Sequence, residues 1–504
     1  MNLGIELSHY QNAPVASGEK GVFTGNSMET QENLAELAKA LEAGEITGQQ
    51  TLNSTTASGA PLKVEALDKT LKLITFTEAD IVLWKKVPKL TATNTVEEYN
   101  QLSSYGTERG GFILEGELPQ EEDSTYVRRS QLVKFMGVVK SVTHPMTLVN
   151  TMVGNAIQRE IQNGTMYILR KLNRSLTKAY SQYDATAFNG YYSQHQYNDG
   201  IYTTLNDYFK NNDVVIDLRG SALTEEVIEQ ASEAIVENFG RVTDLFAPPK
   251  VLSGFVKGFY GNKFIPVNGT GITSATMGQK VKNFASQFGD IDLNYDLFMN
   301  KGVKKAYNSA ATHPNAPAVV TGVSVTPVAA TVADSMWATT DAGNYYFGVV
   351  ASNRFGESAF TPLNPSAVAA IVAAGAADLA FTPGSSPNPA TSFTFYRSNK
   401  NPVSLASATF YPTFTISLAE FVAGYDGGTA NTSARDNNRI MPNTDQAFLT
   451  GMDEEVLSYK QLAPLMKMDL AVISPAYRFM VLQYGTPMLY APKKFVRFIN
   501  IGTN

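Results

Sequence analysis

The residue types that do chemistry are sparse in this 504-residue sequence, and where they occur their spacing suits no site. It holds no cysteine, which excludes thiol nucleophiles, disulfide frameworks and cysteine-ligated zinc or iron–sulfur centres. The four histidines, His9, His144, His195 and His313, stand far apart and never form the i, i+4 pair that sets two imidazoles on one helix face for zinc. No Gly-x-x-x-x-Gly-Lys-Ser/Thr loop is present to cradle phosphate. Gly269-Thr270-Gly271 starts a dinucleotide-type turn, but Ser274 stands where the third glycine belongs. No Gly-x-Ser-x-Gly nucleophile elbow occurs.

Two acidic groups come closest to a site. Asp290, Asp292, Asn294 and Asp296 are spaced by two, as at the start of a calcium loop. Such a loop needs glycine at its sixth position and glutamate at its twelfth, where this chain has Tyr295 and Lys301. Ile291, Leu293, Tyr295 and Leu297 alternate between the acids, which predicts a half-buried strand. Glu121, Glu122 and Asp123 could form an acid/base pair for glycoside hydrolysis. They lie in a polar stretch with no apolar pocket to raise a carboxyl pKa, so they read as a solvated edge or as partners for basic side chains of another subunit. The small basic clusters Lys85, Lys86, Lys89 and Lys493, Lys494, Arg497 are the expected counterparts. No catalytic residue, cofactor or metal site is expected, and the chain does not read as an enzyme.

The elements that carry these residues change character along the chain. Residues 1–60 hold seven acids and two bases, a net charge of −5, so of the total of −6 only −1 falls on the rest. Leu34, Leu37, Ala38 and Leu41 form one helical stripe in this segment, stopped by Gly44; a single stripe cannot fold alone, so it is expected either to dock on a partner surface or to remain a mobile polar tail. Residues 96–133 form a long excursion punctuated by Gly106, Gly110, Gly111, Gly116 and Pro119. Glu115, Glu117, Glu121, Glu122 and Asp123 make one edge acidic, and Arg128 and Arg129 follow. A two-stranded arm of this kind has no core of its own and makes sense lying on a neighbouring molecule.

Residues 133–142 alternate as a strand that Pro145 ends. A long amphipathic helix is predicted over about 148–184, with Ile157, Ile161, Ile168, Leu172, Leu176 and Tyr180 on one face and a kink or break at Asn163-Gly164. A second helix is predicted from Thr224 to Phe239, capped by Thr224, stopped by Gly240 and burying Val227, Ile228, Ala231, Ile235 and Phe239. Short strands are predicted at 250–253, 263–267 and 290–297. Residues 315–438 carry only 11 charged side chains and read as an all-β sandwich. The tail, 439–504, returns to mixed character, with a short helix opened by Asp453-Glu454-Glu455 and strands at 470–473, 479–483 and 495–499.

Charge and hydropathy narrow the class. With 40 Lys+Arg against 46 Asp+Glu the chain lacks the basic excess of a dedicated nucleic-acid binder. Charged residues make up 17%, below the ~25% usual for soluble domains, which hints at extensive subunit contacts. The opening residues show no signal-peptide pattern. The longest apolar stretch, 367–377, is about half the ~20 residues of a membrane span.

Within the sandwich, the run from Tyr345-Tyr346-Phe347 to Asn353-Arg354-Phe355-Gly356-Glu357-Ser358 resembles the penultimate-strand region of fibronectin type III and related immunoglobulin-like domains. Phe393-Thr394-Phe395-Tyr396-Arg397-Ser398 resembles the Tyr/Tyr-Arg strand of the same family. The order of parts as a whole resembles the major capsid proteins of tailed bacteriophages, the Hong-Kong-ninety-seven-type fold. Three stretches carry that likeness: Arg129 to Lys140, like the return of the E-loop into the peripheral (P) domain; Phe288-Gly289-Asp290-Ile291-Asp292-Leu293-Asn294, like a strand of the axial (A) domain; and Tyr484 to Lys494, like the C-terminal P-domain strands.

The resemblance implies an α+β capsid fold with an N-arm (1–65), an E-loop (about 96–133), a spine helix (about 148–184) in a P-domain and an A-domain (about 215–314). An immunoglobulin-like sandwich (315–438) is inserted, and 439–504 completes the capsid domain. It further implies a structural protein assembling as hexamers and pentamers into an icosahedral shell in the host bacterial cytoplasm and residing in the virion. Glu115, Glu117, Glu121, Glu122, Asp123, Arg128 and Arg129 would sit at inter-subunit contacts. Portal, scaffold or decoration proteins would be partners; packaged DNA would be touched only non-specifically, and no membrane would be. Another phage structural protein, or a secreted adhesin or carbohydrate-binding protein, also accounts for a sandwich.

Overall fold

The elements follow from where apolar side chains recur. The structure, a computed structural model, describes residues 75–106, 111–119, 121–149, 155–178, 215–260, 281–299, 307–329, 331–384, 388–472 and 474–502. The 1–65 arm with its Leu34–Leu41 stripe, His9, His195, the Gly269-Thr270-Gly271 turn and the strand expected at 263–267 lie outside these residues. The order begins α1 (Val82–Lys86), β1 (Lys89–Thr91), β2 (Val96–Ser104), β3 (Thr125–Leu132), β4 (Lys134–Thr143), α2 (His144–Leu148) and α3 (Ala156–Lys178). It continues with β5 (Val215–Asp217), α4 (Glu225–Glu237), β6 (Asp244–Ala247), α5 (Pro249–Tyr260), β7 (Asn283–Ser286) and β8 (Gly289–Tyr295). An all-β stretch follows: β9 (Thr321–Val328), β10 (Gly343–Tyr345), β11 (Phe347–Ser352), β12 (Thr361–Pro362), β13 (Ala369–Ile371), β14 (Ala376–Thr382), β15 (Ser392–Ser398), β16 (Phe410–Ser417), the short α6 (Leu418–Ala423) and β17 (Ser433–Asp436). The last strands are β18 (Asp445–Thr450), β19 (Leu457–Asp469), β20 (Ala476–Leu489) and β21 (Phe495–Ile501).

Two sheets are built from both ends of the sequence. One has the order β1-β19-β20-β4, the other β5-β21-β18-β6-β8-β7. The chain leaves the second sheet after β8 and returns to its middle at β18, so residues 307–444 form an excursion between two strands of one sheet. Every residue of β6 and β18 is buried, the mark of strands covered on both faces. Leu245, Ala447, Leu449 and Phe498 face α4 and α5, where Ile228, Ala231, Ile235, Val251 and Phe255 complete one core. Phe246 and Phe448, stacked at 5.1 Å, face a second core made by α1, α3 and the four-stranded sheet.

Several elements differ from expectation, each for a local reason. The long helix is two: α2 carries Pro145 in its first turn, where the missing N–H has no partner to lose, and extended Val149 closes it; α3 follows at Ala156. No break occurs at Asn163-Gly164. A Cβ at Gly164 would meet Val481 Cγ2 at 3.1 Å and Lys140 Cγ at 3.5 Å, so the glycine lets the helix lie close on the sheet. Residues 250–253 are helical, because Pro249 opens α5 and Val251 and Phe255 bury one face of it. In α4 the Thr224 side chain makes no capping bond. Phe239 takes the left-handed conformation (φ 58) that ends the helix, and it points into solvent at 90% exposure instead of joining the buried stripe. Residues 453–455 form a turn rather than a helix. Of the strand expected at 470–473, residues 470–472 form none: they follow β19, an unexpected 13-residue strand ending at Asp469, and precede β20, whose 14 residues extend well beyond the expected 479–483.

The acids spaced by two along β8 serve the fold. Asp292 pairs with Lys86 at 3.1 Å, and Lys86 also bridges to Asp244, whose Oδ1 accepts from Asn294 Nδ2 at 2.8 Å. Asp296 lies just past the strand end, fully buried. It accepts from the backbone N–H of Leu83 in α1 (3.1 Å), from Asn173 Nδ2 in α3 (2.7 Å) and from the backbone N–H of Phe298 (2.7 Å). Asn173 Oδ1 in turn accepts from Trp84 N at 2.8 Å. One carboxylate thus ties the six-stranded sheet to the helices of the other core. Lys85, Lys86, Lys89 and Arg497 of the basic clusters are used internally too, in place of the expected pairing with Glu121–Asp123. Lys85 reaches Glu78, Lys89 Nζ donates to the carbonyls of Trp84 and Val87, and buried Arg497 donates to Gln446.

The excursion folds around its own core between two larger sheets, with β10 and β13 pairing as a third, two-stranded one. The three-stranded sheet has the order β17-β14-β9 and the four-stranded sheet β12-β11-β15-β16. Leu379, Phe381 and Ala434 of the first meet Val349, Phe393, Phe395 and Phe414 of the second. Aromatic packing fills the interior, with Phe395 stacked on Phe414 at 4.7 Å and Phe381 on Phe421 at 4.4 Å.

Candidate inter-subunit interface

Strands β2 and β3 pair only with each other, from Val96↔Leu132 out to Ser104↔Thr125, and make a hairpin that is part of neither sheet. Alternation along β2 divides its residues between two faces. Glu97, Tyr99 and Gln101 turn toward the four-stranded sheet. Tyr99 Oη donates to the Leu489 carbonyl at 3.3 Å, Gln101 Nε2 donates to the Tyr490 carbonyl, and the Tyr99 and Tyr490 rings meet edge to face at 4.9 Å. Glu98 turns away and pairs with Arg128 across the hairpin.

Glu97 is the buried root of this hairpin. Its carboxylate accepts from the N–H groups of Thr93 (2.8 Å) and Asn94 (3.1 Å) and from Lys460 Nζ (2.7 Å). Burial alone pushes its pKa up, but the Lys460 ammonium and the two N–H donors outweigh burial and hold it down at about 2. Because the folded value is depressed, the root is fully held above the ordinary carboxyl value of 4.5 and is released as pH falls toward about 2. Hydrogen exchange of β2 and β3 should therefore accelerate between those two pH values. Glu97→Gln should flatten that acid step and speed exchange at neutral pH; an unchanged step would assign it to another group.

Beyond the root the hairpin carries little that the rest of the chain covers. Glu115, Glu117, Glu121, Glu122 and Asp123 are all exposed near the tip, with Glu122 close against Gly106, and Arg128 and Arg129 are exposed on β3. Arg128 and Arg129 are not gathered with the tip acids: Arg128 is committed to Glu98, and Arg129 stands opposite Tyr99. The more informative feature was not singled out from the sequence. Phe112, Ile113, Leu114 and Leu118 project from the tip, with Phe112 fully exposed and Leu118 at 93%, and Tyr105 and Tyr126 flank them. Three consecutive large apolar residues inside an acidic, glycine-rich loop were the available signal. An exposed apolar cluster ringed by charge is the composition of a contact surface.

A second apolar surface lies on the four-stranded sheet. Val138 and Val481 face α3, so their strand neighbours point the other way. There Val139, Met480 and Met468 lie side by side, then Gly137, Leu482 and Met466, then Phe135 against Tyr484 at 5.0 Å. Val139 and Met468 are exposed, and Arg478 stands exposed beside them on the same face. Methionine side chains adapt to irregular partners.

Among the described residues the two histidines stand apart from any other chemistry-bearing group that could form a catalytic pair. His144 opens α2 at the surface, and the His313 ring stacks on Phe355 at 5.8 Å. Among the described residues no three His, Cys, Asp or Glu side chains could hold a metal ion, and no helix is long and apolar enough to cross a membrane.

Comparison with known proteins identifies the family of the chain. The family model described as SU10 major capsid protein matches residues 45–320, more than half of the chain. A protein of Enterococcus phage phiEF24C is 25% identical over 489 residues, covering 94% of this chain and 97% of the relative. The major capsid protein of Staphylococcus phage S25-3 is 24% identical over 463 residues, covering 90% and 93%. Among solved structures, the capsid of cyanophage P-SCSP1u overlays with 8% identity and a TM-score of 0.42, covering 89% of this chain and 96% of that one.

Proposed function

The chain belongs to the SU10 major capsid protein family and is a structural protein of a phage capsid, and we propose that its copies close into an icosahedral head by laying the β2–β3 hairpin of one subunit on the four-stranded sheet of the next. The observation that carries this is the exposed apolar tip at Phe112, Ile113, Leu114 and Leu118, set on an arm whose root is fixed by Glu97. The exposed Met468 and Val139, with Arg478 beside them, offer a matching apolar and basic surface for a tip that is apolar and acidic. Glu115, Glu117, Glu121, Glu122 and Asp123 then pair with a neighbour's cations, while Arg128 stiffens the arm through Glu98. Each subunit gives one arm and receives another, so contacts run head to tail and close by rotation into rings of five and six.

In this reading the hairpin is the E-loop, and α3 with the four-stranded sheet is the P-domain. The six-stranded sheet with α4 and α5 is the A-domain, and 1–65 is an N-arm whose acidic charge suits an inner face that does not trap DNA. The excursion is an immunoglobulin-like insertion. Its β12-β11-β15-β16 order supports C′-C-F-G, with β9 and β14 in the places of B and E and β17 where D would stand, so the Tyr345–Ser358 run likened to the penultimate strand takes the place of C and β15 that of the penultimate strand F. Assembly takes place in the host cytoplasm with portal, scaffold or decoration proteins of the same virion, and packaged DNA is contacted only non-specifically. Negative-stain microscopy of the full-length protein tests the proposal. Shells, or rings of five and six, are expected; a stable monomer at high concentration would overturn it.

A further inference from the structure

The turn after β5 is built in an unusual way. Arg219 (φ 47) and Gly220 (φ 83) are both left-handed, a conformation uncommon for any residue with a side chain. The end of β21 holds this turn from behind. Gly220 N donates to the Asn500 carbonyl at 2.8 Å and Gly502 N to the Ser221 carbonyl at 2.9 Å, while Asn500 Nδ2 and Arg219 N both donate to Asp217 Oδ1, at 2.8 and 2.9 Å. The approach is so close that a Cβ on Gly502 would sit 1.8 Å from the Gly220 carbonyl oxygen. A backbone fixed in this way aims the Arg219 side chain out of the six-stranded sheet.

It aims at the sandwich. Arg219 Nη1 donates to the Asn438 carbonyl at 2.8 Å, and Nη2 donates to the Met336 carbonyl and to Asp341 Oδ2 at 3.2 Å. The same Asp341 oxygen accepts from Asn438 Nδ2 at 2.9 Å, and Asn438 Oδ1 accepts from Arg397 Nη2 at 2.6 Å. Arg397 is buried in the sandwich, paired with Asp436 at 3.0 Å and lying over the Trp337 ring at 4.5 Å. An unbroken polar chain therefore runs from Asp217 in the six-stranded sheet to the sandwich interior. On the other side Asn500 grips the exit segment, donating to the Arg439 carbonyl at 2.8 Å and accepting from Met441 N at 2.7 Å.

We infer that Arg219 is a latch that fixes the sandwich to the six-stranded sheet as one rigid body and completes the sandwich's own polar interior. A sandwich joined only through its connecting segments would swing freely. Here the planar guanidinium fork engages two carbonyls and a carboxylate at once, which sets direction as well as attachment. All residues involved belong to one chain, so the inference stands or falls separately from any inter-subunit contact.

Hydrogen exchange on the full-length protein tests it. In Arg219→Ala, amides of residues 334–344 and 436–444 are expected to exchange at least about tenfold faster, while those of β18 and β21 keep their wild-type rates. Arg219→Lys, which keeps the charge but loses the fork, should fall between the two. It serves as the readout should the alanine variant not fold. Wild-type exchange at both segments in either variant would overturn the latch.

Discussion

Replacing Asp296 by alanine is expected to lower the melting temperature by about 10 °C or more. The side chain is fully buried and is the acceptor for three donors: the N–H groups of Leu83 and Phe298, and Asn173 Nδ2. Alanine leaves all of them buried and unpaired, at about 1–3 kcal/mol each. Summed, this is on the order of 3–9 kcal/mol, a large part of the 5–15 kcal/mol that holds a typical domain together. Each kcal/mol shifts a mid-sized domain by roughly 2–4 °C. Asp296→Asn separates the hydrogen-bond account from simple loss of volume. Its amide oxygen can still serve Leu83 and Asn173, but its NH2 faces the Phe298 N–H, so the loss should be about one donor's worth. Thermal unfolding by circular dichroism reads both variants. An alanine variant within about 2 °C of wild type would mean that water or a rearranged Asn173 replaces the carboxylate.

Asp296 also shows where sequence reading stops. Its spacing with Asp290, Asp292 and Asn294 was legible, and the missing glycine and glutamate ruled out a calcium loop. That the last acid would turn inward and meet Leu83 and Asn173 was not, because those partners lie far away in sequence and are brought near by the packing of two sheets. The same holds for Arg219, whose partners Met336, Asp341 and Asn438 belong to the sandwich. Local signals served better. The strand of β4 and the apolar face of α3 at Ile168, Leu172 and Leu176 follow from periodicity, and the two-stranded arm from the glycines and proline that punctuate it. The helix at Pro249 was signalled by its proline, although the short piece 250–253 was expected to be a strand. The apolar tip lay in plain view at Phe112-Ile113-Leu114, hidden only by the acids around it.

That tip gives the larger functional effect. Replacing Phe112, Ile113, Leu114 and Leu118 together by serine should leave the subunit folded and prevent shells from forming. The four side chains are exposed within one chain, so their loss removes little that stabilises the fold. Between chains the balance reverses. Burying a large apolar side chain contributes about 1.5–3 kcal/mol, and even half of the summed gain, after the entropy of docking the arm, is about 3 kcal/mol for each contact. At 1.4 kcal/mol per tenfold, one contact weakens about a hundredfold, and a subunit that both gives and receives an arm loses twice over. The concentration needed for assembly should therefore rise at least about a hundredfold, read by light scattering and microscopy, while the melting temperature of the unassembled subunit stays within a few degrees. Replacing Glu121, Glu122 and Asp123 by their amides should have a milder effect that fades as salt is raised, since exposed charges steer more than they hold. A serine variant that assembles at the wild-type concentration would place the contact elsewhere on the subunit and leave the exposed apolar tip without a role.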